Sequence, residues 1–162
     1  MVFSHGKESG PWGAKITAMA EGVREWGWAA ESVDYRGIDD PGHRVTKLIE
    51  ACRGLTEPLV LVGSSLGGHV AAAAAGRVQP RGIFLLAPAF YMPGYEQYTP
   101  QGVACPTVIV HGWKDTIVPV DNGIRWAREH QATLHVLDSD HRLEDQIAAI
   151  CRLLKDFLVS LR

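Results

Sequence analysis

Short β-rich apolar runs alternate along this sequence with stretches whose apolar residues recur at helical spacing, and no other feature limits the possible folds so strongly. The runs occupy residues 1–4, 29–35, 59–63, 82–86, 107–110 and 133–137, which makes six candidate strands. Between them Ile16, Met19, Ala20 and Val23 fall on one helical face, as do Val45, Leu48, Ile49 and Cys52, and then Val120, Ile124 and Ala127. Leu143, Ile147, Ile150, Leu154, Leu158 and Leu161 predict a last helix. Strand and helix in alternation predict an α/β fold, with a mostly parallel sheet covered by helices on both faces. The third, fourth and fifth runs are apolar on both faces, as in Leu59-Val60-Leu61-Val62, and belong at the centre. The second carries Glu31, Ser32 and Asp34 and the sixth His135, so these two belong at the edges.

With 162 residues, no linker and no repeat, one domain spanning 1–162 is expected. Apolar residues at 46% and charged residues at 21% fit a packed core and not a disordered chain. A net charge of −2 without long runs of either sign gives no electrostatic footprint for nucleic acid or an anionic membrane. Cys52, Cys105 and Cys151 are odd in number and far apart, which suits buried thiols in a reducing compartment. No secretory leader and no apolar run near the ~20 residues of a membrane span is visible, so a cytoplasmic protein is expected.

In a parallel sheet, ligands bind beyond the carboxyl ends of the strands. Those loops hold His5-Gly6, Ser65, Asp115 and His141. Gly63-Ser64-Ser65-Leu66-Gly67 fits G-x-S-x-G between a strand and the helix-forming Val70-Ala71-Ala72-Ala73-Ala74-Ala75. Such a turn lifts a hydroxyl above the sheet and needs glycines where a β-carbon would clash. The alternative for Ser65 is a helix cap or phosphate-binding turn. A serine nucleophile needs a base within reach, itself oriented by an acid. Asp115 in His111-Gly112-Trp113-Lys114-Asp115 and His141 in Asp138-Ser139-Asp140-His141 follow in that order, each just past a strand.

From His5-Gly6 through the elbow to His141 the sequence resembles the α/β-hydrolase superfamily, whose order is Ser, Asp, His. The H-G-x-x-D-x-x-V-P form of residues 111–119 is similar to small lidless serine esterases, including the dienelactone-hydrolase-like ones. The resemblance implies Ser65 as nucleophile, Asp115 as acid and His141 as base, with no cofactor. It also implies backbone oxyanion donors at Leu66 and Lys7. The family commonly has antiparallel strands before the strand leading to His5-Gly6, whereas this sequence starts inside that strand, so the expectation is either a minimal six-stranded sheet or a start that lacks a few residues. Only residues 87–105 stand where larger members insert a lid, so an open site is expected.

His69, one turn into the helix after the elbow, is a rival base but suits packing better. His5, His111 and His141 lack any metal-motif spacing, and no metal is expected. Phe90, Tyr91 and Met92 crowd the segment after the fourth strand and, with Trp113, either wall a substrate pocket or fill core. The expected activity is hydrolysis of a small or short-acyl carboxylic ester through an acyl-enzyme. A thioester or amide substrate uses the same parts, and a non-catalytic binding module on the same fold would need none of them.

Overall fold

Every strand of the sheet runs parallel to its neighbours in the order β2-β1-β3-β4-β5-β6. The computed structural model describes residues 1–55 and 58–161. The strands are β1 (Val2–Ser4), β2 (Glu31–Val33), β3 (Val60–Ser64), β4 (Gly82–Leu86), β5 (Thr107–Gly112) and β6 (Thr133–Leu137). The helices are α1 (Ala14–Glu25), α2 (Pro41–Cys52), α3 (Leu66–Val78), α4 (Val120–His130) and α5 (Ile147–Ser160). The polar second and sixth runs are the two edges, and the doubly apolar runs lie inside, as their patterning requires.

Period-two alternation sends successive side chains to opposite helix layers. Phe3, Val60, Val62, Phe84 and Leu86 pack with Ile16, Met19 and Val23 of α1 and with Ile150, Leu154, Phe157 and Leu158 of α5. Val2, Leu61, Ile83, Leu85 and Ile109 pack with Leu48 of α2, the Val70 and alanine face of α3, and Trp126 of α4. Each large side chain buried this way contributes about 1.5–3 kcal/mol, which secures three layers without any help from the loops. Local signals set the helix ends. Asp40 caps α2 by accepting from the His43 amide at 2.8 Å, with Pro41 in the first turn.

The chain winds from β1 to β2 on one side and then crosses to β3 on the other, so the order reverses between β1 and β3. At such a switch point the loops leaving the carboxyl ends diverge and open a crevice. Residues 5–7 and the start of α3 flank it, because Ser4 pairs with Gly63 at the ends of β1 and β3.

The largest differences from the sequence expectation are in β2 and α5. The second strand keeps only Glu31–Val33, because the Asp34 carboxylate turns back to accept from the Arg36 amide at 3.0 Å and closes a turn. The last helix starts at Ile147; Leu143 is buried in the core but takes a φ of 55°, which no helix continues through.

Residues 87–105 form no lid domain. They fold down on α4, where the Trp126 indole N–H donates to the Pro100 carbonyl at 2.9 Å and the Asn122 amide donates to the Phe90 carbonyl at 2.8 Å. Among the described residues no helix is long and apolar enough to cross a membrane.

Candidate active site

Ser65 sits between β3 and α3 with φ 54° and ψ −120°, a conformation that L-residues rarely adopt. The Ser65 amide donates to the Leu86 carbonyl and its own carbonyl accepts from Gly68, His69 and Ala89, so the turn is held on all sides. Its hydroxyl makes no capping bond to α3, which removes the cap reading. The flanking glycines are steric necessities. A Cβ on Gly63 would stand 2.4 Å from the Gly67 carbonyl oxygen, and one on Gly67 would stand 2.0 Å from that of Ser4.

The loops after β5 and β6 are joined by two backbone bonds, from Trp113 to Leu137 and from Lys114 to Ser139, both at 2.9 Å. That junction brings Asp115 to His141. The His141 Nδ1–H donates to Asp115 Oδ2 at 2.7 Å, and the Ser65 hydroxyl lies 3.0 Å from His141 Nε2. A carboxylate only accepts, so the hydrogen belongs on Nδ1 and Nε2 is free to accept the serine proton. The other Asp115 oxygen accepts from the amides of Ile117 at 2.9 Å and Val118 at 2.8 Å, which fixes the carboxylate plane.

Asp138 and Asp140, nearer to His141 in sequence, are engaged elsewhere. Asp138 pairs with Lys114 at 2.6 Å in solvent, and Asp140 accepts from the Arg142 amide at 2.8 Å. His69 is half-buried, and that burial lowers its pKa. His111 is a contact that the sequence analysis assigned no role. Fully buried, it places Nε2 3.0 Å from the Val118 carbonyl, so Nε2 carries the hydrogen and donates to that carbonyl, with Asp115 Oδ2 3.2 Å away. Its Nδ1 faces Gly123 of α4, where a Cβ would stand 2.6 Å away. The four-residue spacing in His111-Gly112-Trp113-Lys114-Asp115 was the available signal.

Leu66 follows the serine directly in the chain, and Lys7 follows Gly6 in the loop after β1. Gly6 lies against the elbow, its notional Cβ 3.4 Å from Ser65 Cβ. Among the described turns and caps neither the Leu66 nor the Lys7 amide donates to a carbonyl. The aromatic segment is placed differently from the pocket-wall expectation. Phe90 has no exposed surface and stacks on Trp126 at 4.8 Å, so it is core. Tyr91 turns toward α4, its ring under the Arg125 guanidinium at 3.9 Å and its hydroxyl donating to Glu129 at 2.5 Å. Met92 is half-buried, and Trp113, two residues before Asp115, is 59% exposed.

Three of these histidines bear on stability. Burial pushes the pKa of His5, His69 and His111 down; Arg44 adds to the shift at His5, and hydrogen bonds to backbone carbonyls partly offset it in each case. A lowered folded-state pKa means that the unfolded chain binds more protons once pH drops below about 6.5, the ordinary imidazole value. Stability is therefore fully present above that pH and declines below it, by at most about 1.4 kcal/mol per pH unit for each histidine. Thermal unfolding between pH 8 and pH 5 should show a melting temperature that declines more steeply below pH 6.5. A melting temperature that rises on acidification would contradict the buried, neutral state of these rings.

Comparison with known proteins gives a consistent picture. A family model described as "Alpha/beta hydrolase domain" matches residues 41–149, a span that includes Ser65, Asp115 and His141. A crystal structure of an alpha/beta-superfamily protein from Xanthomonas campestris pv. campestris is 34% identical, covering 98% of this chain and 97% of its own, with a TM-score of 0.91. Alpha/beta hydrolase domain-containing protein 10 from mouse is 20% identical, with 99% and 90% covered and a TM-score of 0.84. Est1E from Butyrivibrio proteoclasticus is 17% identical, with 99% and 86% covered and a TM-score of 0.84. These last two likenesses are of fold. A search of the curated proteins gave no match.

Proposed function

Because the chain belongs to the alpha/beta hydrolase family, we propose that it is a serine hydrolase cleaving a small or short-acyl carboxylic ester, with Ser65 as nucleophile, His141 as general base and Asp115 as its orienting acid. The observation that carries the reading is the hydrogen-bonded chain from Ser65 Oγ through both His141 nitrogens to Asp115, beginning on a strained elbow. In the first step Ser65 Oγ bonds to the ester carbonyl carbon, its proton passes to His141 Nε2, and the carbonyl π pair moves onto oxygen. The amides of Leu66 and Lys7 would receive that oxyanion. Collapse breaks the bond to the alkoxy leaving group, which takes the proton back from Nε2. Water, deprotonated by the same nitrogen, then releases the acid from Ser65.

The preference for a short acyl group rests on residues 87–105 lying along α4, which leaves no lid to enclose a long chain. Trp113 and Met92 are the proposed substrate contacts; Phe90 and Tyr91 are withdrawn from that role.

Fluorophosphonate treatment followed by mass spectrometry should place a single adduct on Ser65, and a panel of p-nitrophenyl esters should be cleaved faster at acetate or butyrate than at laurate. An adduct on Ser64 or Ser9 refutes Ser65 as the nucleophile, and no adduct on folded protein leaves the binding module. Faster laurate cleavage refutes the acyl preference alone. Thioester and anilide analogues in the same panel rank the leaving groups.

A further inference from the structure

A peptide unit is planar and trans, so its C=O and N–H point in opposite directions. The direction of the Lys7 N–H is therefore decided by whatever holds the carbonyl of Gly6. Two buried donors hold it. His5 Nδ1 lies 2.7 Å from the Gly6 oxygen, and it must carry the ring hydrogen because His5 Nε2 accepts from the Tyr35 amide at 2.9 Å. The second donor is Arg44 of α2, whose Nη1 is 3.3 Å from the Gly6 oxygen and 3.5 Å from that of His5.

Arg44 is an unusual residue to find here. It is 2% exposed, and its charge is met by carbonyls and a ring. Nε donates to the Ile38 carbonyl at 2.6 Å, and the guanidinium lies over Tyr35 at 5.2 Å. The Tyr35 hydroxyl in turn meets Ser4 Oγ at 3.1 Å, at the end of β1. Among the described ion pairs none includes Arg44, and burying a guanidinium without a carboxylate is costly, so packing alone is a poor reason to keep it. A rigid planar fork fixed at Nε is suited to holding a neighbouring carbonyl in one direction, which a lysine ammonium is not.

We propose that Arg44 is a positioning residue for the oxyanion hole: with His5 it clamps the Gly6 carbonyl, so that the Gly6–Lys7 peptide plane is fixed with the Lys7 N–H turned away from the clamp and free to bind the oxyanion. The inference rests on the serine-hydrolase reading of Ser65. Donors on the carbonyl also polarise the same peptide, which strengthens its N–H as a donor. Removing one oxyanion donor outright costs about a hundredfold to a thousandfold in kcat, so loosening one should cost about tenfold to a hundredfold.

The test compares wild type, Arg44→Met and Arg44→Lys, each checked for folding by thermal melt. Arg44→Met should lower kcat on p-nitrophenyl acetate about tenfold to a hundredfold with KM within about twofold. Affinity for phenylboronic acid, which forms a tetrahedral adduct on a reactive serine, should weaken by a similar factor. Arg44→Lys, keeping a donor without the fork, should fall between. Folded Arg44→Met with unchanged kcat, or with KM alone affected, overturns the clamp while wild-type fluorophosphonate labelling upholds Ser65. A wild type that is not labelled removes the hydrolase reading and the clamp together. Should Arg44→Met not fold, a folded Arg44→Lys at wild-type kcat overturns the proposal. In wild type alone, a Lys7 amide proton that does not shift on phenylboronate addition overturns it without any variant.

Discussion

Asp115→Asn should leave a folded protein whose kcat falls about ten-thousandfold, the loss expected when the exchange holds the histidine in the wrong tautomer. The two side chains have nearly the same shape, and the asparagine carbonyl can keep the Ile117 and Val118 amides that Asp115 Oδ1 now accepts. That choice puts the new NH2 where Oδ2 stands, facing both His141 Nδ1 at 2.7 Å and His111 Nε2 at 3.2 Å. Donor would meet donor. His141 relieves the conflict by moving its hydrogen to Nε2, where it can no longer accept the Ser65 proton. Flipping the amide gives no escape, because the NH2 would then face two backbone N–H groups. Asp138→Asn and Asp140→Asn are the controls. Asp138 pairs with Lys114 in solvent and Asp140 caps a local turn, so each should cost less than about tenfold. Steady-state kinetics of three folded variants measure the difference. Near-normal turnover in Asp115→Asn with collapse in Asp138→Asn would move the acid to the wrong loop and overturn the assignment.

The same residues show what a sequence can and cannot disclose. Ser65 was legible because an elbow demands its glycines locally: both clashes that exclude a Cβ arise within a few residues or against the adjacent strand. Edge and centre strands were legible because burial on one face or two leaves a direct imprint on the pattern. Phe90 was not, because an aromatic after a central strand can turn toward a pocket or toward Trp126, and only the bonds that tie residues 87–105 to α4 decide. Arg44 was hidden more thoroughly. In a helix whose apolar stripe is Val45, Leu48, Ile49 and Cys52, position 44 lies on the flank of the stripe one turn before Leu48, and an arginine there reads as one that lays its stem along the apolar face and sends its charge to solvent. Its partners are carbonyls of residues 5, 6 and 38, and backbone acceptors leave no trace in a sequence. His111 falls between the two cases, with its spacing to Asp115 visible and its tautomer not.

Gly67→Ala should be the most destabilising single-methyl change in the chain, although alanine is the better helix former by about 1 kcal/mol. The added carbon would stand 2.0 Å from the Ser4 carbonyl oxygen and 2.6 Å from that of His5, and both are backbone atoms that cannot rotate aside. Relief requires α3 to retreat from β1. That strand has only three residues and is hydrogen-bonded on both sides, to β2 and β3, so it cannot shift alone. The expected cost exceeds about 4 kcal/mol, in the range reserved for core overpacking and backbone strain. For a chain of this size that is a fall in melting temperature of about 8–16 °C or more. Any folded fraction should be inactive, because the retreat of α3 carries the Leu66 amide and Ser65 away from His141. Gly76→Ala supplies the internal control: it lies in the same helix with nothing within 4 Å of its notional Cβ, so the helix preference is unopposed and the protein should gain stability. The same methyl in one helix thus has opposite signs at two positions nine residues apart. Thermal melts of the pair read this directly, and a Gly67→Ala protein that melts with or above Gly76→Ala would mean that α3 does not press on the end of β1.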